Sequence, residues 1–132
     1  MKHYKSSFLY KALSNKVLGA CFKVHNALGP GLIESAYQGA LVAEFKRSGI
    51  VCELQKVFPL TYAGEYVGTF FADIVVANTI ILELKSVAGF TSGMVSQTLN
   101  YLKLSKLPVA YLLNFHGQRV VWQRFVNTKG SS

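Results

Sequence analysis

The chain has 132 residues and a mass of 14.5 kDa, which is the size of one domain. Apolar residues make up 51 % of the sequence and charged residues only 15 %, which excludes a disordered tail and a coiled coil. There are 14 Lys and Arg residues against 6 Asp and Glu residues, and the resulting net charge of +8 favours a polyanionic partner, with nucleic acid ahead of an anionic membrane surface.

The hydrophobic pattern predicts the element order ααβββαββ. Apolar residues spaced three and four apart indicate two N-terminal helices, separated by Gly-Pro-Gly at residues 29–31. Alternating runs rich in β-branched and aromatic residues then indicate strands. The predicted helices cover residues 7–28, 32–47 and 94–104, and the predicted strands cover residues 51–62, 66–76, 80–87, 109–115 and 119–125. We expect one α/β domain over residues 1–128, a mixed sheet flanked by helices, and a frayed tail at residues 129–132.

Several features of the sequence bear on its cellular setting. Cys21 and Cys52 have no metal-ligand spacing, so we expect two free thiols and no zinc site. No apolar run reaches 18 residues, and lysines interrupt the N-terminal segment, which therefore lacks the apolar stretch of a signal peptide. These features predict a cytoplasmic protein with no membrane partner.

Two carboxylates lie inside strongly apolar predicted strands. Asp73 follows Phe-Phe-Ala and precedes Ile-Val-Val, and Glu83 lies within Ile-Ile-Leu-Glu-Leu-Lys. A carboxylate in a buried strand is costly unless it is paired, hydrogen-bonded or bound to a cation. Their positions therefore mark the strands as a candidate site.

The register of the predicted hairpin decides whether these carboxylates meet. Paired positions in a hairpin have a constant sum, so a three-residue loop at residues 77–79 pairs Val76 with Ile80 and Asp73 with Glu83. A two-residue loop would put the two carboxylates on opposite faces. The three-residue loop also predicts one fully apolar face, made of Phe70, Ala72, Ile74, Val76, Ile80, Leu82 and Leu84.

Lys85 lies two residues after Glu83 and is expected on the same face as the carboxylates. Oxygen ligands without Cys or His suit Mg²⁺ or Mn²⁺. Such an ion can activate water and neutralise charge on a phosphate. The lysine could stabilise the transition state or help to deprotonate the water. The alternative is a structural ion pair between Lys85 and Asp73 or Glu83, and residue spacing leaves both interpretations open.

Two helices carry further polar residues. Gln97 and Tyr101 are four apart, on one face of the third predicted helix, while Glu34 and Tyr37 follow the Gly-Pro-Gly segment. That segment lacks the Gly-Lys-Ser/Thr of a nucleotide-binding P-loop, so a P-loop is excluded.

Taken together, these motifs resemble the GxxExxY protein family, a branch of the PD-(D/E)XK nuclease superfamily. The likeness covers residues 10–125, and its N-terminal block, Gly-Pro-Gly-x-x-Glu-x-x-Tyr, is quite specific. The residues that match are Gly31, Glu34 and Tyr37 for GxxExxY, and Asp73, Glu83, Lys85, Gln97 and Tyr101 for the D…ExK…QxxxY pattern.

The resemblance implies a restriction-endonuclease-like core and a metal-dependent nuclease acting on phosphodiester bonds, with DNA ahead of RNA and Mg²⁺ or Mn²⁺ as cofactor. By this resemblance Asp73, Glu83 and the carbonyl of Leu84 hold the metal. The residues assigned to catalysis are Glu34, Asp73, Glu83, Lys85 and Gln97, and those assigned to substrate positioning are Tyr37 and Tyr101. His25 precedes the Gly-Pro-Gly segment and is expected to be a packed or helix-terminal histidine.

A non-catalytic module with the same fold is the alternative. It would bind nucleic acid or serve in an assembly, and a homodimer or a protein partner is left open. Intact Asp73, Glu83 and Lys85 favour the enzyme, because a degenerate member would be expected to lose one of the three.

Overall fold

The computed structural model describes the backbone of residues 2–127 and the side chains of residues 10–127. It confirms the predicted order ααβββαββ, while the expected domain end at residue 128 and the expected tail at residues 129–132 lie outside the described residues. The helices and strands are α1 (Lys2–Leu28), α2 (Glu34–Arg47), β1 (Cys52–Tyr62), β2 (Glu65–Val76), β3 (Ile80–Lys85), α3 (Ser92–Ser105), β4 (Val109–Asn114) and β5 (Val121–Val126).

Element ends differ from the predictions by a few residues. Helix α1 begins at Lys2 rather than at residue 7, and β3 ends at Lys85 rather than at residue 87. Helix α3 begins at Ser92, two residues earlier than predicted, because the side chain of Thr91 caps it by accepting a hydrogen bond from the backbone N–H of Met94.

The five strands form one mixed sheet in the order β1-β2-β3-β4-β5. Strands β3 and β4 are parallel, and the other neighbours are antiparallel. A parallel pair needs a crossover connection, which α3 supplies between them. The mixed sheet flanked by helices that the sequence predicts is therefore confirmed.

Helices cover both faces of the sheet. Helices α1 and α2 pack on one face through Val17, Cys21, Leu41 and Phe45, which meet buried residues of β2, β3 and β4. Helix α3 packs on the other face, where Leu102 meets a smaller cluster. The members of that smaller cluster are Ala72, Val75, Ile81, Leu102 and Ala110, and we call this side the α3 face.

The loop between β2 and β3 has the predicted three residues. Val76 pairs with Ile80, Ala77 and Asn78 both have φ of 50°, and the backbone N–H of Thr79 donates to the carbonyl of Val76 at 2.9 Å. The predicted hairpin register is therefore confirmed.

The predicted apolar face of β2 and β3 is wrong for Phe70 and Ala72, the two members that precede Asp73. Ala72 belongs to the cluster of the α3 face, and the ring of Phe70 stacks on Tyr101 of α3 at 4.2 Å. Pairing between β1 and β2 is interrupted at this point, because Gln55 lies opposite Asp73 with a φ of 49° and neither residue joins the ladder. This local irregularity breaks the strict alternation of side chains, so Phe70 and Ala72 turn towards α3.

Both cysteines are free thiols, as expected. Cys21 is fully buried in the core of the α1 and α2 side, and burial raises the pKa of its thiol to about 12. It therefore acts as a packed apolar residue and not as a nucleophile.

The longest helix, α1, spans 27 residues but carries Lys11, Lys16 and Lys23 along its length. Within residues 2–127, no helix is long and apolar enough to cross a membrane.

Candidate active site

The two strand carboxylates meet where β2 and β3 separate. The backbone ladder between these strands ends at the pair Ile74 and Leu82. Beyond it, the N–H of Asp73 donates to Glu83 Oε2 at 3.1 Å, and the N–H of Leu84 donates to Asp73 Oδ2 at 2.9 Å. Each carboxylate thus satisfies a backbone donor that the diverging strands leave without a ladder partner.

Burial makes both carboxylates hard to ionise. Glu83 is 5 % exposed, and its burial, followed by the nearby charge of Asp73, raises its pKa to about 8. Burial also raises the pKa of Asp73, while the N–H of Leu84 and the charge of Lys85 oppose that rise. One buried and one partly buried carboxylate, close to each other, therefore favour a positive charge beside them.

Lys85 lies at the end of β3, half-buried, and its charge lowers the pKa of both Asp73 and Glu83. Among the described residues it forms no ion pair with either carboxylate within 4.0 Å. Residues 10–127 therefore do not contain the alternative, a structural ion pair between Lys85 and Asp73 or Glu83. The ammonium group acts on the carboxylates from a distance.

Glu34 brings a third carboxylate towards the same place. It is the first residue of α2, and its Oε2 accepts a hydrogen bond from the N–H of Ser86 at 3.3 Å. The hydroxyl of Ser86 donates in turn to the carbonyl of Leu32 at 2.8 Å. The charge of Glu34 raises the pKa of both Asp73 and Glu83, so the three carboxylates share one electrostatic environment.

The backbone geometry of β3 indicates where the carbonyl of Leu84 points. The N–H of Phe115 donates to the carbonyl of Lys85, so the backbone groups of Lys85 face β4. The N–H of Leu84 donates to Asp73, so its backbone groups face β2. Because the N–H and C=O of one strand residue point the same way, the carbonyl of Leu84 faces the gap beside Asp73.

These oxygens fit a hard divalent cation. Within residues 10–127, no three side chains of His, Cys, Asp or Glu cluster closely enough to hold a metal by themselves. Asp73, Glu83 and the carbonyl of Leu84 would supply only part of a coordination shell. Mg²⁺ is typically bound in this way, through one or two carboxylates with several waters retained.

Two residues of α3 lie beside the carboxylates. Burial, followed by the charges of Glu83 and Asp73, raises the pKa of Tyr101, while the side chain of Gln97 lowers it. The Tyr101 ring is held by stacking on Phe70. The structure therefore brings Gln97 and Tyr101 to the same site as the strand carboxylates.

Tyr37 does not reach the surface of this site, so it could position substrate only through the residues that it holds in place. Its side chain is fully buried and stacks on Phe115 with ring centroids 4.7 Å apart. Its hydroxyl donates to the carbonyl of Gly29 at 2.6 Å and accepts from the N–H of Leu32 at 3.1 Å. Both bonds hold the Gly-Pro-Gly turn, which fixes the start of α2 and hence the position of Glu34.

His25 is a packed histidine near the end of α1, as expected. It is 5 % exposed, and its Nε2 lies 2.9 Å from the carbonyl of Gly117. Its ring packs against Tyr37 and Phe115. It contributes to the support behind the turn.

Two polar residues that were not predicted from the sequence also lie at or near the site. Gln55 lies opposite Asp73, and its side chain lowers the pKa of that carboxyl. Asn114 is buried at the end of β4, where its amide exchanges two hydrogen bonds with the backbone of Val87 and so ties down the segment after Lys85. An asparagine ending the apolar run of β4 was a usable signal, whereas nothing in the spacing of β1 marks Gln55.

Comparison with known proteins agrees with this architecture. A family model described as the PD-(D/E)XK nuclease superfamily matches residues 11–125. The crystal structure of SSO0001 is similar, with a TM-score of 0.52 and 14 % identity, over 96 % of this chain and 61 % of SSO0001. At this identity the likeness concerns the fold alone, and this chain spans less than two thirds of SSO0001. No curated protein matches the chain. The mixed sheet flanked by helices is consistent with a restriction-endonuclease-like fold.

The raised pKa of Glu83 predicts an unusual pH dependence of stability in the absence of divalent cations. A folded-state pKa of about 8 lies above the unfolded value, so the stabilisation is complete at low pH and is lost as pH rises through 8. The free energy of unfolding should fall with pH by at most about 1.4 kcal/mol per unit for this one group. Urea unfolding in EDTA from pH 5 to 8.5 measures it, and Glu83→Gln should flatten the slope. An equal slope in the variant would contradict this assignment.

The bonds of Tyr37 predict a specific loss of stability. Tyr37→Phe keeps the stacked ring but leaves the carbonyl of Gly29 and the N–H of Leu32 without their hydroxyl partner. We expect the free energy of unfolding to fall by about 1–3 kcal/mol. Chemical denaturation checks this, with Tyr62→Phe, an exposed tyrosine, as the matched control. Equal stabilities of the two variants would remove the role given to the hydroxyl.

Proposed function

We propose that this chain, which belongs to the PD-(D/E)XK nuclease superfamily, is a metal-dependent nuclease. It would hydrolyse phosphodiester bonds in nucleic acid. The single observation that carries the proposal is the meeting of Asp73 and Glu83 at the divergence of β2 and β3, with the Lys85 charge acting on both. We take DNA ahead of RNA as substrate and Mg²⁺ or Mn²⁺ as cofactor.

Within the superfamily we assign the chain to the GxxExxY branch. Supporting this, each residue of the motif has a separate physical task. Gly31 has a φ of 88°, a conformation that favours glycine. Tyr37 holds the turn through its hydroxyl, and Glu34 projects from the start of α2 towards the strand carboxylates.

Asp73, Glu83 and the Leu84 carbonyl would hold the cation. When bound, a divalent cation supplies Lewis-acid activation of water and neutralises charge on the phosphate. Lys85 contributes a fixed positive charge that stabilises the extra negative charge on the phosphate oxygens in the transition state. Glu34, which is exposed, would add a third carboxylate from α2 at the edge of the site, where it could bind a water molecule held by the cation.

The α3 residues are suited to holding substrate. Gln97 is exposed and presents an amide that can bond to a phosphate or base. Tyr101, held by the Phe70 ring, borders the carboxylates. In this proposal Gln97 acts with the catalytic carboxylates and Tyr101 positions the nucleic acid.

A non-catalytic nucleic-acid-binding or assembly module is the second candidate. The observation that favours it is that no three acidic, histidine or cysteine side chains of residues 10–127 cluster as a chelate. A site of two carboxylates binds cations more weakly than one of three, and weak binding could leave a module that retains nucleic acid without cutting it. The net charge of +8 serves either candidate and fits a cytoplasmic protein that meets nucleic acid, alone, as a homodimer or with a protein partner.

A cleavage assay tests the proposal. We expect Mg²⁺- or Mn²⁺-dependent cutting of a panel of single- and double-stranded DNA and RNA, abolished by EDTA and by Asp73→Asn or Glu83→Gln. Lys85→Met should retain cation binding and lower the rate about 10²–10⁴-fold, because it removes charge stabilisation of the transition state. Glu53→Gln is the matched control, since Glu53 is an exposed carboxylate of β1 that pairs with Lys56.

The assay separates the two candidates. Retention of nucleic acid with no cutting of any substrate in either metal supports the binding module. Cutting that survives in Asp73→Asn and Glu83→Gln, at the rate of Glu53→Gln, would contradict the site.

A further inference from the structure

A cavity lies on the opposite side of the sheet from the carboxylates. It has a volume of about 360 Å³ and runs between α1 and the edge strand β5. Its floor is Tyr111 of β4, which belongs to the core of the α1 and α2 side. We call it the α1–β5 pocket, and the lining residues that matter here are Tyr10, Lys11, Ser14, Tyr111, Trp122 and Arg124.

The charge of the α1–β5 pocket is entirely positive. Lys11 of α1 and Arg124 of β5 line it, and no carboxylate does. Within residues 10–127 neither cation lies in an ion pair. Two cations that converge on one concave surface without a counter-charge attract an anion, and the fork of an arginine matches a phosphate.

Ser14 adds a polar group that lacks a partner. The residue is 3 % exposed and lines the pocket, and its Oγ has no hydrogen-bond partner among the described residues. A buried hydroxyl without a partner costs free energy, which a polar atom of a bound molecule would recover. This is the one such side-chain atom found within residues 10–127.

Aromatic side chains form part of the remaining wall, beside Asn15, Leu18 and Val126. Trp122 is 40 % exposed, and its ring centroid lies 5.6 Å from that of Phe22 on α1, in a tilted arrangement. Tyr10 of α1 also lines the pocket. A partly exposed indole beside a phosphate-binding pair is the arrangement on which nucleobases stack.

From these observations we propose that the α1–β5 pocket binds one nucleotide unit, with its phosphate between Lys11 and Arg124 and its base on Trp122. The volume falls in the range of small-molecule sites. The choice of a nucleotide over other aromatic anions rests on the proposed function. Since the pocket and the carboxylates lie on opposite faces of the sheet, this nucleotide is not the neighbour of the scissile phosphate. It is either a free nucleotide or a distant unit of a bound strand.

Trp122 is the only tryptophan of the chain, so its fluorescence reports on the pocket directly. The intact protein is titrated in EDTA with AMP, adenosine, inorganic phosphate and an eight-nucleotide single-stranded DNA. EDTA removes divalent cations, so the reading is independent of cleavage and stands even if the proposed nuclease activity fails. We expect saturable quenching by AMP, with weaker binding of adenosine and of phosphate alone.

Variants make the assignment specific. Lys11→Gln and Arg124→Gln should each raise the Kd for AMP about tenfold, because each removes a charged phosphate contact. Lys103→Gln, an exposed lysine on α3, is the matched control and should leave the Kd unchanged. Asp73→Asn should also leave it unchanged, because Asp73 lies on the other face.

The oligonucleotide arm distinguishes the two sources. Tighter binding of the DNA than of AMP, lost in Arg124→Gln, assigns the site to a unit of a strand, and equal binding assigns it to free nucleotide. The proposal is overturned by quenching that rises linearly with AMP, by a Kd unaffected in the Lys11→Gln, Arg124→Gln double variant, or by a Trp122 response to anionic lipid vesicles and not to AMP.

Discussion

Two hydrogen bonds from backbone N–H groups to carboxylates hold the candidate site together. Strand β3 pairs with β2 on one side and with β4 on the other, and past Leu82 it stays with β4 while β2 leaves. That separation leaves the N–H groups of Asp73 and Leu84 without partners in the ladder. Glu83 and Asp73 supply the missing acceptors. The hydrogen bonds that satisfy the backbone thus place the buried Glu83 and the partly buried Asp73 side by side.

This double duty has a consequence for the roles of the carboxylates. Truncation of Asp73 to alanine would remove an acceptor for Leu84 as well as a charge, so a loss of activity in that variant would mix the two effects. An amide at either position removes the charge and exchanges one oxygen for an NH₂ group, but it keeps an acceptor oxygen for the backbone N–H. Ionisation without a cation is costly here because burial and mutual repulsion act together, and this cost is what cation binding would relieve.

A second constraint joins α2 to the end of β3. The hydroxyl of Tyr37 donates to the carbonyl of Gly29, at the start of the Gly-Pro-Gly turn. The hydroxyl of Ser86 donates to the carbonyl of Leu32, the residue that follows the turn. Asn114 fastens the segment after Ser86 to β4. These hydrogen bonds therefore fix the position of Glu34, and a helix residue is brought to a site that the strands define.

Much of this arrangement could be predicted from the sequence, because the number of residues in a hairpin loop decides which residues pair and so share a face. A three-residue loop is enough to bring Asp73 and Glu83 together, and the costly placement of carboxylates in apolar runs marks them. The orientation of Phe70 and Ala72 towards α3 could not be predicted, because it depends on the irregular backbone at Gln55. Nothing in the sequence around Gln55 indicates that its φ is 49°. The motif also does not predict the burial of Tyr37, because a tyrosine at this position could face either a substrate or the turn. Its packing against Phe115 decides between the two.

The thermal stability of the wild type and of Asp73→Asn, measured in EDTA, Mg²⁺ and Mn²⁺, tests the cation site that Asp73 and Glu83 would form. Because a ligand that binds only the folded state stabilises it, we expect either cation to raise the Tm of the wild type and to leave that of Asp73→Asn unchanged. An equal rise in both proteins, or no rise in the folded wild type at millimolar cation, would contradict a cation site built on Asp73 and Glu83.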